Sequence, residues 1–337
     1  MGLAEVLAIR INYVRRSSMN SAVTIVMPMY NSERYIKKTL ESIAMQSLSN
    51  FRVIVVDDGS TDDSVGIVSD FLCSDNRFEL YKKENSGVSD SRNYGLSMVE
   101  SEYVVFIDSD DLLDKSHLND MYLCASADGS DITMCDYNVI YQGKIRRINT
   151  YLNDGADGYI RDTLTAKMWG VVWNKMFRLD FLRKNNILFH NDILFWEDLA
   201  FCIKAFSCTD KISHTQKPTY NYLVRDGSLL RSENNKAKVM NKISSVNEIS
   251  KIRKISENFK VELDALKLQA KSEFISDHNM YDRDLWKATL PVGFLSIVMA
   301  DTRAKNKLLP LLSSINLNIA VSFLMTIKRF RSKIRSR

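Results

Sequence analysis

From Ala22 onward, short apolar runs alternate with longer stretches in which apolar residues return every three or four positions. Val23 to Met27 reads as a buried strand ending at Pro28, and Ser32 to Gln46 places Tyr35, Ile36, Leu40, Ile43 and Ala44 at helical spacing. Phe51 to Val56 is a second buried run, closing on Asp57, Asp58, Gly59, Ser60 and Thr61, a turn suited to cap a helix from Asp62 to Cys73. Phe78 to Lys82, a helix over Ser89 to Val99, and Tyr103 to Ile107 continue the alternation. The last of these runs leads directly into Asp108, Ser109, Asp110 and Asp111. Short strands alternating with helices predict βαβ units and a mostly parallel α/β sheet with flanking helices.

In such sheets ligands bind beyond the carboxyl ends of the strands. Tyr30 and Asn31, Asp57 and Asp58, and the aspartates at 108 to 111 all follow strands, so these polar clusters are expected to converge. From Asp128 to about Ser232 the pattern loosens into mixed strands, loops and helices rich in Trp and Phe. Beyond Glu233 few glycines and abundant Lys, Glu, Ser and Ile predict helices to about Leu290, then an amphipathic basic end.

The chain has 337 residues, 45% hydrophobic and 26% charged, which supports a large core and excludes disorder as its theme. Its net charge of +5 is local: Lys328, Arg329, Arg331, Lys333, Arg335 and Arg337 fall in the last ten residues, leaving −1 for the rest. Five cysteines without a CxxC pair suit reduced thiols and speak against a disulfide framework or zinc ribbon. No apolar run reaches membrane-spanning length, and the N-terminus lacks the order of a signal peptide, so a cytoplasmic protein is expected.

Carboxylates at a strand end are hard oxygen ligands suited to Mg²⁺ or Mn²⁺ with a diphosphate, although an isolated DxD is also an ordinary solvated turn. Neither GxGxxG nor GxxxxGK occurs, which weakens dinucleotide and P-loop readings. The stretch Asn85 to Asn93 offers glycine, hydroxyls, a helix start and Arg92, groups fit for a phosphate or a sugar hydroxyl. Glu197 and Asp198 open another helical pattern, where helix-start charges are the plain reading, and Trp196 beside them is a candidate wall beneath a sugar ring.

Taken together, VTIVMPMYNSERYIKKTLESIAMQS, FRVIVVDDGSTDDS, ENSGVSDSRNYGL and YVVFIDSDDLL resemble the successive signatures of the family-2 glycosyltransferases. WNKMFRLDFLRKNNILF and FWEDLAFCIKAF are similar to the acceptor half of that family. The resemblance extends to about Ser232 and implies a GT-A type, Rossmann-like fold with a helical C-terminal region. Its domain division is an extension at 1–21, a transferase domain at 22–232 (donor half 22–125, acceptor half 126–232), and a helical region at 233–337.

The activity it implies is inverting transfer of a sugar from a nucleotide-diphosphate donor, with Mn²⁺ or Mg²⁺ as cofactor. Carried over by position, Pro28, Met29, Tyr30 and Asp57 frame the base, with Asp58, Arg92, Asn93, Asp108 and Ser109 completing the donor set. Asp108 and Asp110 are the implied metal ligands, and Asp198 the implied catalytic base. Trp196, Glu197, Lys175 and Arg225 are the implied acceptor contacts.

The chain departs from the processive branch in lacking QxxRW and membrane-spanning runs, which favours addition of a single sugar. The apolar and basic stretch Ile315 to Arg337 has the composition of an interfacial helix on anionic lipid. It predicts peripheral attachment at the inner face of the plasma membrane and a saccharide or lipid-linked saccharide acceptor in cell-surface polysaccharide synthesis. Nucleic acid lacks a supporting motif. The competing readings are a sugar nucleotidyltransferase, which needs a glycine-rich loop and lysine not seen after the first strand, and a non-catalytic saccharide-binding scaffold.

Overall fold

The computed structural model describes residues 21–151, 154–225, 236–276, 289–290 and 292. Most of the N-terminal extension, residues 226–232 and the basic stretch from Ile315 lie outside the described residues. Two compact units divide the chain: residues up to 156 with 171–191 and 208–228 form the first, and 157–170, 192–207 and 229 onward form the second.

The first unit is built on one sheet. β1 (Val23–Met29) is buried at every position, as a strand covered on both faces must be. It pairs in parallel with β2 (Phe51–Asp57) on one side and β4 (Tyr103–Phe106) on the other, and β3 (Phe78–Lys82) pairs in parallel with β2. This half is the predicted βαβ arrangement, with α1 (Ile36–Ala44), α2 (Ser64–Leu72) and α3 (Val88–Ser97) as crossovers. Each helix is slightly shorter than its apolar spacing predicts; Ser32 begins a turn, accepting the amides of Tyr35 and Ile36, before α1 starts.

Close approach of α3 to the sheet depends on Gly95. A Cβ there would lie 2.5 Å from Val26 Cγ1 and 3.3 Å from Val56 Cγ2. The helix is thereby held near the sheet, with Arg92 and Asn93 carried close to the carboxyl ends of the strands.

Beyond β4 the pairing is mixed. β8 (Lys175–Arg178) runs antiparallel to β4 and to β6 (Ile132–Tyr141), while β9 (Ile212–Leu223) is parallel to β6 and antiparallel to the short β5 (Leu112–Leu113). The order is β3-β2-β1-β4-β8-β6-β9-β5. β7 (Lys144–Ile148) returns antiparallel along β6 through a two-residue turn, Gln142 and Gly143, both with positive φ as such hairpins require. α4 (His117–Asp128) and α6 (Leu179–Lys184) complete this unit.

Most of the second unit's described residues are helical: all but the first two residues of α5 (Gly155–Leu164), then α7 (Glu197–Phe206), α8 (Lys236–Lys251), α9 (Arg253–Asn258) and α10 (Lys260–Ser276). Tyr159 stacks on Phe206 with centroids 5.4 Å apart. No helix among the described residues is long and apolar enough to cross a membrane.

Candidate active site

The polar clusters after β1, β2 and β4 are tied together. The Asn31 amide donates to Ser60 Oγ (3.0 Å), Asn31 Oδ1 accepts the Thr61 amide (2.8 Å), and the Ser32 amide donates to Ser64 Oγ (2.7 Å). Ser32 Oγ and Ser109 Oγ are 2.7 Å apart, which joins the third cluster. Asn31 at φ 47 and Gly59 at φ 75 make the tight bends that this knot needs.

Pro28 and Met29 lie buried within β1, and Tyr30 emerges exposed at its end. Asp57 is buried at the end of β2 and accepts the Ser60 amide at 3.2 Å. Asp58 faces another way: Oδ1 accepts Lys83 Nζ (2.5 Å) and the Ser86 amide (2.9 Å), and Oδ2 accepts the Gly87 amide (2.9 Å). Lys83 also contacts Asp90 (3.0 Å) and the Ser86 hydroxyl. Asp58 is therefore the anchor of the loop that starts α3. Lys83 is an anchor residue that the sequence did not single out, one charge among several in Glu79, Lys82, Lys83 and Glu84.

The aspartate run divides its work. Asp108 and Asp110 keep 30% and 28% of their side-chain surface, whereas Asp111 is fully buried. Arg92, buried on α3, donates to Asp108 Oδ1 at 3.0 Å and lies 5.2 Å from the Phe189 ring centroid. The Arg225 guanidinium contacts Asp110 and stands 4.1 Å over the Tyr35 ring. Asp111 accepts the Tyr220 hydroxyl on Oδ2 and the Leu223 amide on Oδ1, both at 2.8 Å. Burial, followed by the charge of Asp108, pushes the Asp111 carboxyl well above its usual range. Burial and the neighbouring carboxylates likewise raise the Tyr220 phenol.

Carboxylate oxygens of Asp108, Asp110 and Asp111 lie within 4.8 Å of one another. This spacing and the hard oxygen donors suit a divalent cation. Asp108 and Asp110 are the two with open surface, and Asp111 is committed to β9. Arg92 and Arg225 stand against Asp108 and Asp110.

Two further expected residues have backbone partners. Asn93 Nδ2 donates to the Phe189 carbonyl (2.8 Å) and its Oδ1 accepts the Phe189 amide (3.0 Å), which fastens α3 to the segment after α6. Lys175, 1% exposed, donates to the Val171 carbonyl (2.5 Å) and to Asn174 Oδ1 (2.8 Å). It sits in the core beside Trp173, which stacks on Tyr220 (4.4 Å) and Tyr222 (5.6 Å).

Trp196, Glu197 and Asp198 belong to the second unit. Trp196 precedes α7 at φ 63, an uncommon backbone for a bulky residue, and its carbonyl accepts Ser245 Oγ from α8 at 2.7 Å. Lys242 Nζ stands 5.2 Å from the Trp196 ring centroid. Glu197 and Asp198, both half-buried, occupy the first turn of α7, at the positive end of the helix dipole.

A parallel sheet half with carboxylates gathered at its C-terminal edge, continued by a mixed half, is a GT-A type architecture. The family model for Glycosyl transferase family 2 matches residues 24–193, half of the chain, and the chain belongs to that family. EpsH of Bacillus subtilis (strain 168) is 31% identical over 173 residues, 50% of each chain. Glycosyltransferase GlyA of Streptococcus pneumoniae serotype 4 is 36% identical over 119 residues, 35% of this chain and 17% of that one. The alignments thus span half or less of these two relatives. Among solved structures, S. aureus TarS 1-349 in complex with UDP-GlcNAc has a TM-score of 0.59 at 24% identity, covering 85% of this chain and 88% of that one. That likeness concerns the fold.

Proposed function

We propose that this chain is an inverting glycosyltransferase that moves a single sugar from a UDP-sugar to a saccharide or lipid-linked saccharide acceptor of cell-surface polysaccharide synthesis. The observation that carries the reading is the joining of the loops after β1, β2 and β4, which brings the buried Asp57 and the partly open Asp108 and Asp110 to one sheet edge beside Arg92. A nucleotide needs an acceptor for its base and cationic groups for its diphosphate, and this edge offers both. TarS, solved with UDP-GlcNAc and with UDP, supports a uridine donor.

In this reading Asp57 receives the base and Arg92 orients the diphosphate side. A sugar hydroxyl is a poor nucleophile, so a carboxylate must take its proton as it attacks, and Asp198 has that role. Asp108 and Asp110 would hold Mn²⁺ or Mg²⁺, which when bound stabilises the charge of the departing diphosphate. The transferase domain is residues 22–232, and the basic C-terminal stretch attaches the enzyme to the cytoplasmic membrane face.

Thermal-shift measurements with a panel of nucleotide sugars and Mn²⁺ test the donor. Stabilisation by UDP-sugars is expected, and no shift with any member overturns the reading. Asp198→Asn is expected to keep donor binding and lose transfer by at least about a hundredfold, the usual range for a general base. Undiminished turnover removes the base assignment.

A further inference from the structure

β7 is an edge strand of sequence KIRRI in which Lys144, Ile145, Arg146 and Arg147 are all exposed. Arg147 donates to Asp136 at 2.9 Å. The side chains of Lys144 and Arg146 have no hydrogen-bonded or ion-paired partner among the described residues. Charged edge strands are ordinarily explained as guards against pairing with another chain. Here the placement of the two charges adds something that guarding does not require.

Residues directly opposite each other in a ladder share a face. Arg146 faces Val139, and Val139 pairs on its other side with Tyr222; Lys144 faces Tyr141 one step further on. Arg146 therefore belongs to the row that carries Tyr222, the ring on which Trp173 stacks. Its charge is felt by the Tyr137 phenol on the same face. β9 continues from Tyr222 to Leu223, whose amide holds Asp111. Strand spacings of about 4.8 Å put the Arg146 backbone roughly 14 Å from that of Asp111. A short oligosaccharide covers such a span.

We propose that Lys144 and Arg146 form a subsite for an anionic group, a phosphate or a uronate carboxylate, carried by the acceptor saccharide. The proposal rests on the glycosyl-transfer reading and names its acceptor class. An anion there meets two cations in the row of the half-buried Tyr222 ring, an aromatic group that suits a sugar.

The test uses the full chain on an array of mono- and disaccharides in matched neutral, 6-phosphorylated and uronate forms, with UDP binding measured in parallel. Wild type is expected to retain at least one anionic form over its neutral parent by about tenfold, falling as salt is raised. Lys144→Glu with Arg146→Glu is expected to abolish that preference, and Lys144→Arg with Arg146→Lys to keep it. Glutamates guard an edge as well as lysines do, so a pure guarding role predicts no change in saccharide binding. The proposal is overturned if wild type shows no anionic preference, or if the charge-reversed protein keeps it. It is also overturned if the pair governs binding to phosphatidylglycerol vesicles while saccharide binding is untouched. Loss of UDP binding in wild type strikes the glycosyl-transfer reading instead, so the two failures are distinguishable.

Discussion

Asp58 follows a buried strand beside Asp57, a position that by sequence belongs with the donor-binding residues, yet its oxygens are occupied by Lys83 and the amides of Ser86 and Gly87. Asp58→Ala removes a charged acceptor from two backbone amides, each such bond being worth about 1.5–3 kcal/mol, while Lys83 retains Asp90. Ser86 is exposed and its amide gains water in exchange, so the net loss of stability should be about 3 kcal/mol. Lys83→Ala leaves both amides on Asp58 but takes the counter-charge from a buried carboxylate, and should cost about 3 kcal/mol. Urea unfolding measures both. Hydrogen exchange localises the effect, with the Ser86 and Gly87 amides expected to exchange faster in Asp58→Ala. UDP affinity should fall as a consequence, because Arg92 is carried by the helix that this loop begins. Unchanged stability and unchanged exchange, with UDP affinity still lost, would mean that Asp58 touches the nucleotide directly and that the anchoring argument is wrong.

Tyr220→Phe takes the hydroxyl from buried Asp111 and leaves it with the Leu223 amide; a loss of about 2 kcal/mol in urea unfolding is expected, and a change below about 0.5 kcal/mol refutes the pairing. His117 is buried against Thr219 (2.8 Å), and burial lowers its pKa to about 4. The unfolded chain takes up this proton near pH 6.5, so stability is lost on acidification between about pH 6.5 and 4, by about 2 kcal/mol at pH 5 from this residue. His117→Gln should remove that share from the difference between unfolding at pH 7 and pH 5; an unaltered difference contradicts the burial argument.

The parallel half of the fold was legible because its information is local. Apolar runs, helical spacing and the polar ends of β1, β2 and β4 all lie within 91 residues of chain, from Val23 to Leu113. The mixed half was not, since the pairing of β6 with β8, β9 and β7 joins segments whose order no periodicity encodes. The site residues divide in the same way. Asp57, Asp108 and Asp110 could be read from strand ends, whereas the engagement of Asn93 by Phe189 depends on a partner 96 residues away. Asp58 and Asp57 look alike in sequence because both follow the same strand; only the position of Lys83 separates an anchor from an open carboxylate. Lys175 reads as a polar contact in a WNK string, and its burial is a tertiary fact.

Asp111 is gripped by the strand paired beside it, one that begins about a hundred residues later. Exchanging donor specificities among relatives by splicing near residue 125 would put the aspartate run in one parent and its clamp in the other. A hybrid of that kind inherits the carboxylates without the tyrosine and backbone amide that hold the third of them. The transplantable piece is discontinuous, comprising the stretch through Leu113 together with Thr219 to Leu223, and recombination that respects this pairing should yield folded exchanges where a single crossover does not.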